Sequence, residues 1–117
     1  MIHRLEGIFK AYKNHYPGCK VVYIFPYRPA KIHGIETTGL TGMYLDHKIS
    51  SMRNKLSMLS SLDRMIDLTY HFRETVDYSD SGTGIPEPTK KGARKLANLI
   101  FKTVKSFHTL TLKSRNL

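Results

Sequence analysis

The chain has no tryptophan, a single cysteine and, beyond Glu87, no acidic residue. It also has no apolar run of the roughly 18 residues that a membrane span requires. Its opening residues mix polar and apolar types, unlike a secretory signal. Each absence excludes something. One cysteine, Cys19, rules out an internal disulfide and any zinc site built on cysteines. A reducing, cytoplasmic setting is the expectation, with no membrane partner. The missing acids leave Lys90, Lys91, Arg94, Lys95, Lys102, Lys105, Lys113 and Arg115 unopposed along the C-terminal stretch.

What is present is a chain of 117 residues, 40% of them apolar, with a net charge of +10 from 19 Lys and Arg against 9 Asp and Glu. That length suits one domain able to bury roughly 65% of its extended surface. The apolar fraction argues against disorder. The charge favours polyanionic partners, although a solvated helix face with a basic tail is the preferred account of it.

Local patterns divide the chain. Ile2, Leu5, Ile8, Phe9 and Tyr12 make one helical stripe over residues 2–15, and Pro17-Gly18 ends it. Val21-Val22-Tyr23-Ile24-Phe25 is a β-branched and aromatic run before Pro26, read as a strand buried on both faces in a parallel sheet. Residues 26–42, rich in Pro, Gly and Thr, read as a long loop at that strand's carboxyl end, where open α/β sheets bind ligands. Leu45, Ile49, Met52, Leu56 and Leu59 predict a helix over about 43–60. Arg64-Met65-Ile66-Asp67-Leu68 reads as a second strand or as a helical extension; the strand is preferred, because a helix-strand-helix-strand-helix order then follows. Residues 73–88 read as a loop. Thr89 is the expected N-cap of a helix starting at Lys90, with Leu96, Leu99, Ile100, Val104 and Phe107 as its buried stripe. From about 109 a frayed basic tail is expected.

Three blocks fall in a suggestive order: Tyr16-Pro17-Gly18-Cys19-Lys20-Val21-Val22-Tyr23-Ile24-Phe25-Pro26, then Met65-Ile66-Asp67-Leu68, then Pro88 to Ile100. Together they resemble the C-terminal half of the SGNH (GDSL-type) hydrolase family. The resemblance implies an α/β fold: a short parallel sheet flanked by helices, half of a flavodoxin-like three-layer domain. It also implies the activity this chain departs from. The family's nucleophilic Ser and its oxyanion-hole Gly and Asn precede the matching part, the His position falls on Glu87, and the Asp position falls on Gly84, or on Thr83 with one insertion. Serine-based ester cleavage needs a base, an orienting acid and oxyanion donors, and no residue evidently fills these roles. The expectation is therefore a chain without its own triad, leaning away from enzyme activity unless a partner supplies the nucleophile. It would act as a binding module or as part of a site completed by another chain. Two parallel strands alone leave an open edge and an uncovered face, so a homodimer, an obligate protein partner or extra strands from residues 26–42 are expected.

Other constellations are weaker. His33, His47 and His71 lack metal-ligand spacing, and no metal or cofactor is expected. Gly39-Leu40-Thr41-Gly42 and Gly82-Thr83-Gly84 lack the lysine of a phosphate loop. Asp77, Asp80 and Glu87 share one loop as plain exposed carboxylates or as a cation site. Glu87, His71 and Arg73 could assemble as in a small RNase. The alternative function is a small basic nucleic-acid-binding protein of phage or mobile-element type. Its binding residues would be Lys90, Lys91, Arg94, Lys95, Lys102 and Lys105, with Arg28 and Lys31, and the seven tyrosines could stack on bases, although aromatics at helix and strand positions are more often core.

Overall fold

The computed structural model describes residues 2–28, 31–32, 35–36, 39–73, 76–80 and 86–115. They group into two compact units, Met1–His71 and Phe72–Leu117. Helices and short strands alternate through both, an α/β composition.

In the first unit α1 spans Ile2–His15. It ends where the sequence predicts: Gly18 takes a left-handed φ of 84°, and the Cys19 amide donates to the Tyr16 carbonyl at 3.1 Å. Its apolar stripe is narrower than the spacing suggested. Phe9 is buried, whereas Ile8 and Tyr12 are exposed. Phe9 meets Tyr23 edge to face, with ring centroids 6.3 Å apart. Tyr23 belongs to β1, Val22–Phe25.

Residues 26–42 are more structured than a loop. They hold β2 (Lys31–Ile32) and β3 (Ile35–Glu36), which pair antiparallel with Lys31 opposite Glu36. These are the extra strands the open edge called for, but among the described residues they pair with each other and not with β1. Helix α2 spans Gly39–Ser57, four residues ahead of the predicted start. The early turn was hidden because Leu40 is exposed and Gly42 is the buried residue, so no apolar period marks it. The helix ends before Leu59, where the Met58 and Leu59 amides tighten onto the Lys55 and Leu56 carbonyls.

Strand β4, Arg64–Asp67, settles the ambiguous segment. It pairs parallel with β1 in the register Val22↔Arg64 to Phe25↔Asp67, so β1, α2 and β4 form a βαβ crossover. Phe25, Leu56, Ile66 and Leu68 form the unit's core with Phe9. The expectation of a strand buried on both faces needs correcting, because Ile24 stays 38% exposed. A sheet of two strands leaves each strand at an edge. The start of the pair is stitched by charge: the Val21 amide donates to Asp63 Oδ2 at 2.8 Å, and Lys13 Nζ approaches the same oxygen at 2.7 Å. A short helix, α3 (Leu68–His71), closes the unit.

The second unit holds β5 (Tyr78–Asp80) and β6 (Pro86–Pro88), antiparallel with Tyr78 opposite Pro88. The predicted loop over 73–88 therefore contains a ladder. Two prolines, which cannot donate to a sheet, concealed it. Helix α4 spans Lys90–Arg115. The frayed tail expected from about 109 is helical to Arg115, because no Gly or Pro follows Gly92 to stop it. Thr89 caps it as predicted: its Oγ1 accepts the Gly92 amide at 3.1 Å, and its carbonyl accepts the Ala93 amide at 2.8 Å.

Candidate functional site

The carboxyl end of the parallel strands is where an α/β crossover places a ligand site. Here it is occupied by two ion pairs. Arg53, on the face of α2 that carries Ile49 and Leu56, brings Nε to 2.8 Å from Asp67 Oδ2 at the last position of β4. The approach is a contact of charges, since that N–H finds no aligned acceptor among the described residues. Arg53 instead donates from Nη2 to Thr69 Oγ1 at 2.7 Å, and the Thr69 amide donates to Asp67 Oδ1 at 3.0 Å. The guanidinium also lies 5.9 Å from the Phe25 ring centre. Arg28 pairs with Asp46 of α2, with the carbonyl of Gly42 within its reach. Each arginine is matched by a carboxylate, so the arrangement ties α2, through Asp46 and Arg53, to the segment after β1 and to the end of β4.

Arg28, expected among the binding residues, thus serves the fold. Arg53 is a site residue that the sequence does not single out. Its signal was its position four residues after Ile49 on the stripe that covers Asp67. Lys31 lies in β2, and its side chain falls outside the described residues.

The second unit is organised by Asp77, which has no exposed side-chain surface. Its Oδ2 accepts the Arg73 amide at 2.7 Å and Lys95 Nζ at 2.6 Å, and its carbonyl accepts the Thr89 amide at 2.9 Å. The hydrogen bond from Lys95 outweighs burial and holds the Asp77 carboxyl below its ordinary range. The expected exposed carboxylate is therefore a buried anchor. Lys95, expected to bind a ligand, makes that anchor. Glu87, at the family His position, is exposed in β6, while Gly84 and Thr83 lie outside the described residues. His71 closes the first unit, whereas Arg73 and Glu87 belong to the second. Among the described residues no three His, Cys, Asp or Glu gather as a metal would need.

The predicted basic residues of α4 do come together. At about 100° per residue, Lys90, Arg94, Lys105, Lys91, Lys102 and Lys95 fall within about 140° of the helix circumference. All but Lys95 are exposed. A second stripe, with Leu96, Leu99, Thr103 and Phe107, is half-buried. A third is neither charged nor covered. It runs through Ala93, Ala97, Ile100 and Val104 and reaches Phe101, which falls at the edge of the basic arc between Lys90 and Arg94 in angle; Phe101 is 66% and Val104 58% exposed. The predicted buried stripe is thus split, since Ile100 and Val104 face outward beside the cations.

No helix among the described residues is long and apolar enough to cross a membrane. Comparison with protein families, with curated proteins and with solved structures returns no match for this chain.

Proposed function

We propose that this chain is a binding module of SGNH-hydrolase type, resembling the C-terminal half of that three-layer fold. It acts without a triad of its own, in a cytoplasmic setting, by associating with a second copy or with an obligate protein partner. The observation that carries this is the parallel pair β1–β4, whose outer edges have no partner strand among the described residues. Parallel sheets are normally larger and covered on both faces, and a free edge is a template for another chain. The position that the family gives to its His holds Glu87, and the described strand ends carry the Arg28–Asp46 and Arg53–Asp67 ion pairs.

Light scattering of the purified chain tests this directly. A homodimer, or a stable complex with a partner, is the expected result, together with no hydrolysis of a simple aryl acetate by the chain alone. A monomer that gains no partner would overturn the reading.

The second reading, a small basic nucleic-acid-binding protein, is favoured by the cations sharing one stripe of α4. That reading leaves the apolar stripe beside them without a role.

A further inference from the structure

The first turn of α4 is built against its own stability. Lys90 and Lys91 sit at the positive end of the helix dipole, with no acidic residue in that turn. Placing cations there weakens the helix, so their position points to something outside it. The outward stripe makes the same point. Ala97, Ile100, Phe101 and Val104 stand at i, i+3, i+4 and i+7, a continuous ridge about two turns long. Ile100, Phe101 and Val104 are all exposed there. Leaving these three in water forfeits burial that most proteins exploit. The ridge adjoins the basic stripe and overlaps its edge at Phe101, two turns or more further along the helix than Lys90 and about two turns beyond Arg94.

We propose that α4 lies in the plane of an anionic lipid surface, with Ile100, Phe101 and Val104 entering the acyl boundary and Lys90, Lys91, Arg94 and Lys102 among the headgroups. A helix with a strongly basic face, large residues on the adjoining face and low mean hydropathy is the form that binds membrane interfaces. Long lysine stems can reach the headgroups while their bases lie at the boundary. A second copy of α4 is disfavoured as the occupant, because it would bring the same cations against these. Nucleic acid would use the cations and leave the ridge in water. That no helix among the described residues is long and apolar enough to cross a membrane is silent on surface attachment.

The full chain contains no tryptophan, so Phe101→Trp creates a single reporter at an exposed position. Mixed with vesicles of phosphatidylcholine and phosphatidylserine in equal parts, the variant should co-sediment, and its emission should shift to the blue. Vesicles of phosphatidylcholine alone should produce neither. Replacing Lys90, Lys91 and Lys102 together by Gln should weaken binding about 100-fold, at about fivefold per charge. Val104→Asp should abolish the blue shift while leaving the circular dichroism spectrum unchanged. Three results would overturn the proposal. One is no binding to the anionic vesicles. Another is equal binding to neutral ones. The last is tight binding of mixed-sequence RNA or DNA at moderate salt, quenching the reporter without a blue shift while vesicles fail to compete. None of these bears on the sheet-edge reading, which is decided by light scattering in the absence of lipid.

Discussion

The backbone carbonyl of Asp77 packs against the α-carbon of Gly92 so closely that a β-carbon on Gly92 would overlap it. This approach lets the Asp77 carbonyl receive the Thr89 amide and its carboxylate receive Lys95. The turn and the first turns of α4 are thereby locked as one piece. Because the obstacle is backbone, no rotamer change relieves it. Gly92→Ala should therefore lower stability by about 1–3 kcal/mol, read as a fall in the urea midpoint at constant m-value. Gly7→Ala is the opposite case. That glycine lies inside α1 with open space around it, and the change should raise stability by about 1 kcal/mol.

The cap of α4 can be separated from this packing. Thr89 Oγ1 donates to the Val76 carbonyl at 2.7 Å while accepting the Gly92 amide. Thr89→Ala should cost about 1 kcal/mol. Thr89→Ser, which keeps the oxygen, should recover most of that. Amide hydrogen exchange at Gly92 should quicken in the alanine variant and stay slow in the serine variant.

Leu56 has no exposed surface and belongs to α2. Leu56→Ala should cost about 2–5 kcal/mol, visible as an earlier thermal transition. Met58→Ala, two residues on and exposed, should move the transition little.

Acid should loosen both units through two carboxylates. Burial pushes the Asp63 carboxyl upward, but hydrogen bonds from Lys13 and the Val21 amide outweigh it and leave it below its usual value. Asp77 is held low chiefly by Lys95. A carboxyl whose folded value is depressed binds fewer protons folded than unfolded, so its stabilisation is complete above its unfolded pKa, about 4. It is lost as pH falls through the depressed folded value. Stability should therefore be flat from neutrality to about pH 5 and fall below about pH 4. Asp63→Asn and Asp77→Asn should each start less stable and lose less on acidification, measured by urea unfolding at stepped pH.

Legibility in the sequence followed the range of the interaction. The end of α1 at Pro17-Gly18, the Thr89 cap and the strand at Arg64–Asp67 were all readable, because turn chemistry, capping and strand propensity act over a few neighbouring residues. The clustering of Lys90, Arg94, Lys105 and their neighbours was implicit as well, since helical periodicity alone puts them together once the helix is granted. Arg53 was not readable as the partner of Asp67, because fourteen positions of chain separate them and only the crossover brings them together. The β5–β6 ladder was masked by its own prolines, which argue locally against the strand they join.

The sequence by itself determined the order of the main elements, the parallel character suggested by Val21–Phe25, and a C-terminal helix with cations on one side and no acid to offset them. Those properties reside in the covalent chain and in its nearest neighbours. Only the tertiary structure decided that Asp77 is a buried anchor instead of a loop carboxylate, that Arg28 and Arg53 are clamps, and that Ile100 and Val104 face outward. Burial and pairing depend on surfaces supplied from elsewhere in the chain, and an apolar period shows that a stripe exists without showing whether anything covers it.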